Sequence, residues 1–214
     1  MRVTEIFWSV QGEGTRIGVP TAFVRLTGCP LRCRWCDTAY AFTGGEEMEL
    51  SAILGRIRQV SGDKAREICV TGGEPLASPE CGKLVETLLE TGFSVTVETS
   101  GALDIDRVSP RASRIVDMKC PGSGELARND YRNLARLNAG DEVKFVVSDR
   151  ADFLWAASLA REHDLPRRFP TWMNPVHGEC DPQALAGWIL ESGEPFRLGV
   201  QLHKLVWGPE ARGV

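Results

Sequence analysis

Only three histidines occur in the 214 residues, and the nearest to the first cysteines is His163, far along the chain. A metal site built on clustered imidazoles is therefore not expected. No apolar run approaches the ~20 residues needed to cross a bilayer. The stretch from Met1 to Phe7 carries no apolar leader-type segment. Neither sign of charge is in excess: 25 Lys and Arg face 29 Asp and Glu, for a net charge of −4. A broad basic face is missing, so no direct nucleic-acid partner and no membrane partner are expected. The seven cysteines are an odd number and do not form a secreted disulfide framework, which points to a reducing, cytoplasmic setting. There is no repeat, low-complexity stretch or linker. With 43% hydrophobic residues the chain can bury a sizeable core, and a single domain over residues 1–214 is expected.

What is present is concentrated. Cys29, Cys33 and Cys36 form a C-x3-C-x2-C run with Trp35 beside the last of them. Soft thiolates suit both zinc and iron–sulfur clusters. Structural zinc closes a tetrahedron with a fourth Cys or His and favours paired C-x2-C knuckles. Here the next cysteine is Cys69 and only one such pair exists, which favours a cubane cluster with one iron left open. Cys69, Cys81, Cys120 and Cys180 read as structural thiols. Arg32 and Arg34 flank the cluster loop and could face an anionic electron donor.

Short β-branched runs alternate with amphipathic stretches. Strands are expected at Val3–Trp8, Thr21–Thr27, Glu67–Thr71, Phe93–Glu98, Arg114–Met118, Glu142–Val147, Arg168–Met173 and Arg197–His203. Helices are expected from a Ser51 cap through Ile53, Leu54, Ile57 and Val60, and through Leu84, Val85, Leu88 and Leu89 to Gly92. Three more fall near Tyr131–Leu137, Asp152–Glu162 and Asp181–Glu191. This alternation predicts an α/β fold of βαβ units with mostly parallel strands, curled into an open, partial (β/α) barrel. In such a sheet ligands sit at the carboxyl ends of the strands. The cysteine loop, the Gly72-Gly73-Glu74-Pro75 segment, Glu98 to Gly101, Asp117 to Pro121, and Asn174-Pro175 all fall there.

Thr71-Gly72-Gly73-Glu74-Pro75 after a strand, downstream of the cysteine triplet, resembles the radical S-adenosylmethionine (SAM) superfamily. The resemblance implies a 4Fe–4S cluster on Cys29, Cys33 and Cys36, with SAM chelating the open iron. It further implies SAM contacts from Trp35, Cys36, Asp37, Gly72, Gly73, Glu74, Glu98, Ser100, Lys119, Asn174 and Pro175, the Gly72–Glu74 segment meeting the methionine amino group.

Ser9 to Gly14 (Ser-Val-Gln-Gly-Glu-Gly), Arg25 and Cys36-Asp37-Thr38 narrow the resemblance. The chain is similar to the 7-carboxy-7-deazaguanine synthase family from Gln11 to the terminal Gln201–Lys204. That similarity implies a small-molecule substrate, 6-carboxy-5,6,7,8-tetrahydropterin, which undergoes ring contraction with loss of ammonia on the way to queuosine and other 7-deazapurines. Substrate contacts would come from Val10, Gln11, Gly12, Glu13, Arg25, Thr71 and His203, and a Mg²⁺ ligand from Thr38. Glu13 can accept N–H groups of the guanine-like edge, and the planar Arg25 fork suits a carboxylate. The cluster and SAM carry the chemistry, so no side chain is expected as a catalyst; a flavodoxin-type electron donor and a homodimer are further implications. Two other classes are a glycyl-radical activase and a zinc module. Against the first stands the dedicated Glu13, Arg25 and Thr38 set. Leu202 stands where Thr is frequent in the family, and the tail Trp207–Val214 runs on past it; no contact is assigned to that tail.

Overall fold

The computed structural model describes residues 1–214. Strands β1 (Arg2–Val10) and β2 (Pro20–Leu26) pair antiparallel, and the short β3 (Glu46–Glu47) flanks β1. From β2 onward every neighbour is parallel: β4 (Glu67–Gly72), β5 (Ser94–Thr99), β6 (Ser113–Met118), β7 (Glu142–Val147), β8 (Thr171–Pro175) and β9 (Arg197–Leu198). The nine strands run in the order β3-β1-β2-β4-β5-β6-β7-β8-β9. Because β3 and β9 are edges that never meet, the barrel is open, as the βαβ pattern implied.

Parallel strands need crossovers, and helices supply them except between β5 and β6, where only the turn Ile105–Arg107 intervenes. The helices are α1 (Leu50–Ser61), α2 (Cys81–Glu90), the short α3 (Asn133–Arg136), α4 (Arg150–Glu162), α5 (Leu165–Arg168) and α6 (Pro182–Ser192), with α7 (Leu202–Val206) after the last strand. Ile53 and Ile57 of α1, Leu84, Val85 and Leu88 of α2, and Phe153, Ala156 and Ala160 of α4 are buried against one face of the sheet. Each fully buried aliphatic side chain stabilises by ~1.5–3 kcal/mol. On the strands this face takes every second residue, such as Ala22, Val24 and Leu26 of β2. The alternate positions, Phe23 and Arg25, look into the concave side. Each central strand is thus apolar toward the helices and mixed toward the cavity, which period-two side-chain direction makes possible.

The outer layer also holds one buried ion pair. Arg114 (1% exposed) donates through Nη2 to Asp141 Oδ2 at 2.6 Å and through Nε to both Asp141 oxygens at 3.1 Å. Asp141 (0% exposed) also accepts from the Arg114 and Asn138 backbone amides at 2.8 Å. The pair ties the start of β6 to the turn before β7.

Local differences from the sequence reading have local causes. Helix α1 starts one residue before Ser51, with Glu49 at the capping position and no side-chain cap. The Tyr131–Leu137 pattern contracts to the single turn of α3. Arg168 closes α5, whose first turn contains Pro166, so β8 begins only at Thr171. The strand expected over Arg197–His203 ends at Leu198: Gly199 lies beneath the Asn174 side chain, and the chain then turns into α7. Asp149 and Asp181 cap α4 and α6 by accepting from the Asp152 and Gln183 amides. No helix is long and apolar enough to cross a membrane.

Candidate active site

The concave face holds a cavity of about 600 Å³. Five successive inner strands each place at least one polar side chain on its wall, among them Arg25 (β2), Thr71 (β4), Glu98 (β5), Asp117 (β6) and Lys144 (β7). Arg25 and Thr71 are register partners, as are Asp117 and Lys144. Polar residues in otherwise apolar strands therefore converge on one space.

At the carboxyl end of β2 the chain enters the cysteine loop. Cys29, Cys33 and Cys36 are free, half-buried and all on the cavity wall. Burial pushes the Cys33 thiol up to about 11, Lys119 only partly opposing it. Burial likewise raises Cys29 and Cys36. The loop is fastened from outside: Arg34 binds Glu179 through two bonds of 3.0 and 2.7 Å, and the Arg32 amide donates to Glu125 at 2.6 Å. Arg32 Nη1 also donates to the Cys29 and Leu31 carbonyls at 2.8 and 2.6 Å, so both arginine side chains are engaged within the chain. Gly73 sits directly behind the loop, where a Cβ would fall 2.5 Å from the Gly28 carbonyl and 2.7 Å from Cys29 Cβ. Only glycine lets β4 approach this closely. The three thiols border one shared space on the cavity wall, and thiolates are the donors an iron–sulfur cluster requires. Trp35, Asp37 and Thr38 line the same space. The Thr38 hydroxyl donates to Asp37 at 2.9 Å and keeps its oxygen lone pairs for a hard cation.

The cavity floor is Val10–Glu13, the start of the loop that runs on to Gly18. Gln11 Oε1 accepts from the Gly12 and Glu13 amides at 2.7 and 3.3 Å, and Gln11 Nε2 donates to Glu98 at 3.3 Å. Glu142 of β7 accepts from the Thr15 amide at 3.0 Å, the Thr15 hydroxyl at 2.5 Å and Trp172 Nε1 at 2.6 Å. Gly14 turns with φ +74°, and a Cβ there would lie 3.1 Å from the Glu142 carboxylate. So anchored, the floor presents Glu13, whose Oε2 accepts from Lys144 Nζ at 2.6 Å. Burial pulls the Lys144 pKa down, but Glu13, Asp117 and Glu98 outweigh it and hold it well above the ordinary lysine value. Lys119 behaves likewise through Asp117, 3.0 Å away. Burial raises Glu98, partly offset by Lys144.

Arg25 lies between Phe7 and Tyr40, 5.8 and 5.9 Å from their rings. Its Nε donates to Glu5 Oε1 at 2.7 Å, and that oxygen also accepts from the Tyr40 hydroxyl at 2.8 Å. Both Arg25 terminal nitrogens lack a hydrogen-bond partner, so the fork is held from behind while its tips face the cavity. Arg25 thus serves as a structural ion pair at one end and as a free ligand group at the other.

Val10, Gln11, Gly12, Glu13, Thr71, Gly72, Gly73, Glu98, Ser100, Lys119 and His203 all lie on the cavity wall. Three expected residues do not. Glu74 is 1% exposed and faces inward. It accepts from the Leu76 amide at 2.9 Å, the Thr99 hydroxyl at 2.9 and 3.0 Å, and the Ser100 amide at 2.6 Å, besides the Ser100 hydroxyl. As cap of the Pro75–Ala77 turn its side chain is committed to Leu76, Thr99 and Ser100 and does not border the cavity. Asn174 packs over Gly199, with Oδ1 buried and unpartnered, and Pro175 ends β8; neither borders the cavity. Lys144, Tyr40 and His177 line it without having been expected, and so does Asp117, expected only at the ligand end of its strand.

The far wall is the C-terminus. The Leu202 amide donates to the Gly12 carbonyl at 3.0 Å, and His203 Nδ1 would lie 2.9 Å from a Cβ on Gly12. Burial lowers the His203 pKa despite Glu13 and Asp37 nearby. Lys204 bridges to Asp37 at 2.9 Å. Beyond it Pro209–Val214 lies along the opening, with the Arg212 guanidinium 4.4 Å from the Tyr40 ring. The tail left unassigned from sequence therefore forms part of the wall.

With this geometry, the chain matches the Radical SAM superfamily over residues 23–113. It is 41% identical to the 7-carboxy-7-deazaguanine synthase of Koribacter versatilis, covering all of both chains. To the enzyme of that name from Chlorobaculum tepidum it is also 41% identical, over all of this chain and 97% of that one. Among solved structures it is similar to QueE from Escherichia coli, with TM-score 0.75, 27% identity and 94% of each chain covered.

Proposed function

The chain belongs to the 7-carboxy-7-deazaguanine synthase family of radical SAM enzymes, and on that premise we propose how its cavity is divided. It is a carbon–nitrogen lyase that converts 6-carboxy-5,6,7,8-tetrahydropterin to 7-carboxy-7-deazaguanine with loss of ammonia, in queuosine and 7-deazapurine biosynthesis. Its cofactors are a 4Fe–4S cluster, SAM and Mg²⁺. The reduced cluster and SAM together supply a radical able to take hydrogen from the substrate.

Cys29, Cys33 and Cys36 hold the cluster, and Thr38 offers its hydroxyl to Mg²⁺. The Gly72 and Gly73 backbone, with Trp35, Asp37, Glu98, Ser100 and Lys119, lodges SAM. Glu74 contributes by fixing Ser100. Asn174 and Pro175 are left out of this set because neither borders the cavity. The pterin rests on the floor: Glu13 accepts its N–H groups, Arg25 takes its carboxylate with the free fork tips, and Val10, Gln11, Gly12, Thr71 and His203 close around it. Holding these groups at fixed separations and excluding water is what the protein adds to catalysis.

The observation that carries this reading is one cavity lined by both the cysteine triplet and the Glu13/Arg25 pair. We further infer a single domain over residues 1–214, a homodimeric working unit, a flavodoxin-type electron donor and a cytoplasmic setting; the seven free cysteines suit the last. The test is anaerobic turnover of reconstituted protein with SAM, dithionite, Mg²⁺ and 6-carboxytetrahydropterin, followed by mass spectrometry. Formation of 7-carboxy-7-deazaguanine without matching SAM consumption is expected. Deoxyadenosine without that product would refute the substrate assignment.

A further inference from the structure

Lys144 was not among the expected site residues, yet it stands among four charged groups. Glu13 Oε2 is 2.6 Å from its Nζ and Asp117 Oδ2 is 3.6 Å away; Asp117 in turn holds Lys119 at 3.0 Å, and Glu98 faces it from β5. An ammonium has three protons. One is committed to Glu13, and no other acceptor lies within hydrogen-bond distance. Glu13 Oε1 is likewise without a partner, and both side chains line the cavity. A free acceptor and free donors therefore sit side by side on the floor, held in register by their own ion pair.

That pattern is the complement of a lactam, in which a ring N–H stands next to a ring carbonyl. We propose that Glu13 and Lys144 together read the lactam edge of the pteridine, with Glu13 accepting the N–H and Lys144 donating to the adjacent 4-oxo group. The proposal rests on the pterin reading of the site and makes Lys144 its specificity-determining residue. A 4-amino pteridine would turn a donor toward the ammonium and leave both unpaired. Sites built to hydrogen-bond one group reject an analogue that cannot make that bond far more strongly than apolar pockets reject an extra methylene.

The probes are 6-carboxypterin and its 4-amino counterpart, titrated into cluster-loaded, SAM-bound enzyme under anaerobic conditions and followed by ligand fluorescence. Wild type is expected to favour the 4-oxo ligand at least about tenfold, the scale of one hydrogen bond to a charged group. Lys144→Met should weaken the 4-oxo ligand by about 10- to 100-fold while leaving the 4-amino ligand nearly unchanged, so that discrimination collapses. Lys144→Arg, which keeps a cationic donor, should retain the preference. If Lys144→Met fails to fold with Glu13 unpaired, Glu13→Gln/Lys144→Met keeps the floor neutral and allows the same comparison. Persistent discrimination without Lys144, or equal weakening of both ligands, would reduce Lys144 to a support for Glu13 and overturn the proposal. Should wild type bind neither ligand, the pterin reading fails and this inference with it.

Discussion

Replacing Arg25 separates its two ends. Nε is held by Glu5 at 2.7 Å, while the terminal nitrogens are free at the cavity wall. Truncating one partner of a desolvated charge pair costs about 2–5 kcal/mol. At about 1.4 kcal/mol per factor of ten, that is roughly 30- to several-thousand-fold in affinity. Arg25→Ala should therefore weaken 6-carboxypterin by that factor in anaerobic calorimetry, with the cluster and its visible absorbance intact. Unsubstituted pterin, which lacks the carboxylate, should bind the variant and the wild type alike. Arg25→Lys keeps the charge but loses the fork, so its affinity should fall between the two. Glu5 retains its bond from Tyr40 at 2.8 Å in either variant, and thermal unfolding separates a stability loss from a binding loss. The reasoning is refuted if Arg25→Ala binds 6-carboxypterin within about threefold of wild type, because the carboxylate would then be held elsewhere, with Arg212 across Tyr40 the next candidate.

Gly73→Ala drives a Cβ to 2.5 Å from the Gly28 carbonyl and 2.7 Å from Cys29 Cβ. The cysteine loop must move, and iron and sulfide content after reconstitution should fall sharply; full cluster loading would show that β4 has room to give. Arg114→Met leaves Asp141 buried and unpaired, which costs about 3–5 kcal/mol. At about 2–4 °C per kcal/mol for a chain of this size, Tm should drop by about 6–20 °C, and a shift below about 3 °C would contradict the buried-pair reading. Burial holds the metal-free Cys33 thiol up at about 11, so at neutral pH it is protonated and must lose its proton on ligation. Protons compete with iron, and cluster assembly should be more complete at about pH 9 than at about pH 7. Assembly that improves as pH falls would mean the thiol is already ionised.

Much of the fold was legible because it is written in local periodicity. Strand β2 alternates Ala22, Val24 and Leu26 with Phe23 and Arg25, and that alternation alone separates a helix-covered face from a cavity face. The cysteine triplet and Gly72-Gly73 were legible because their spacing is short and their chemistry specific. What failed depended on partners distant in sequence. Glu74 follows two glycines at a strand end, as a ligand group would, but its direction is set by Thr99 and Ser100 on the next strand. Leu198, Val200 and Leu202 alternate like a strand, yet the close approach of Gly199 to Asn174 and the bond from the Leu202 amide to Gly12 end it early.

Lys144 shows where a signal was present and not followed. Arg25 is an arginine inside an otherwise apolar, inward strand, and a residue so placed demands a reason to be buried. The segment Glu142–Val147 places Lys144 in the same predicament, two residues from Glu142 on a strand otherwise made of Val and Phe. Asp117, in Ser113–Met118, is a third case, and it is Lys144's register partner. Burying an ionised side chain is costly unless it is paired, so charged residues at inward positions of neighbouring strands, as Asp117 and Lys144 are, predict one another. Applied evenly, the rule that exposed Arg25 would have assembled the cavity wall strand by strand. It would still not have supplied Glu13, which reaches Lys144 from a loop and becomes its partner only when Glu142 anchors Thr15. The charges of an open barrel can be anticipated from its strands; their pairing is decided by the segment that crosses its floor.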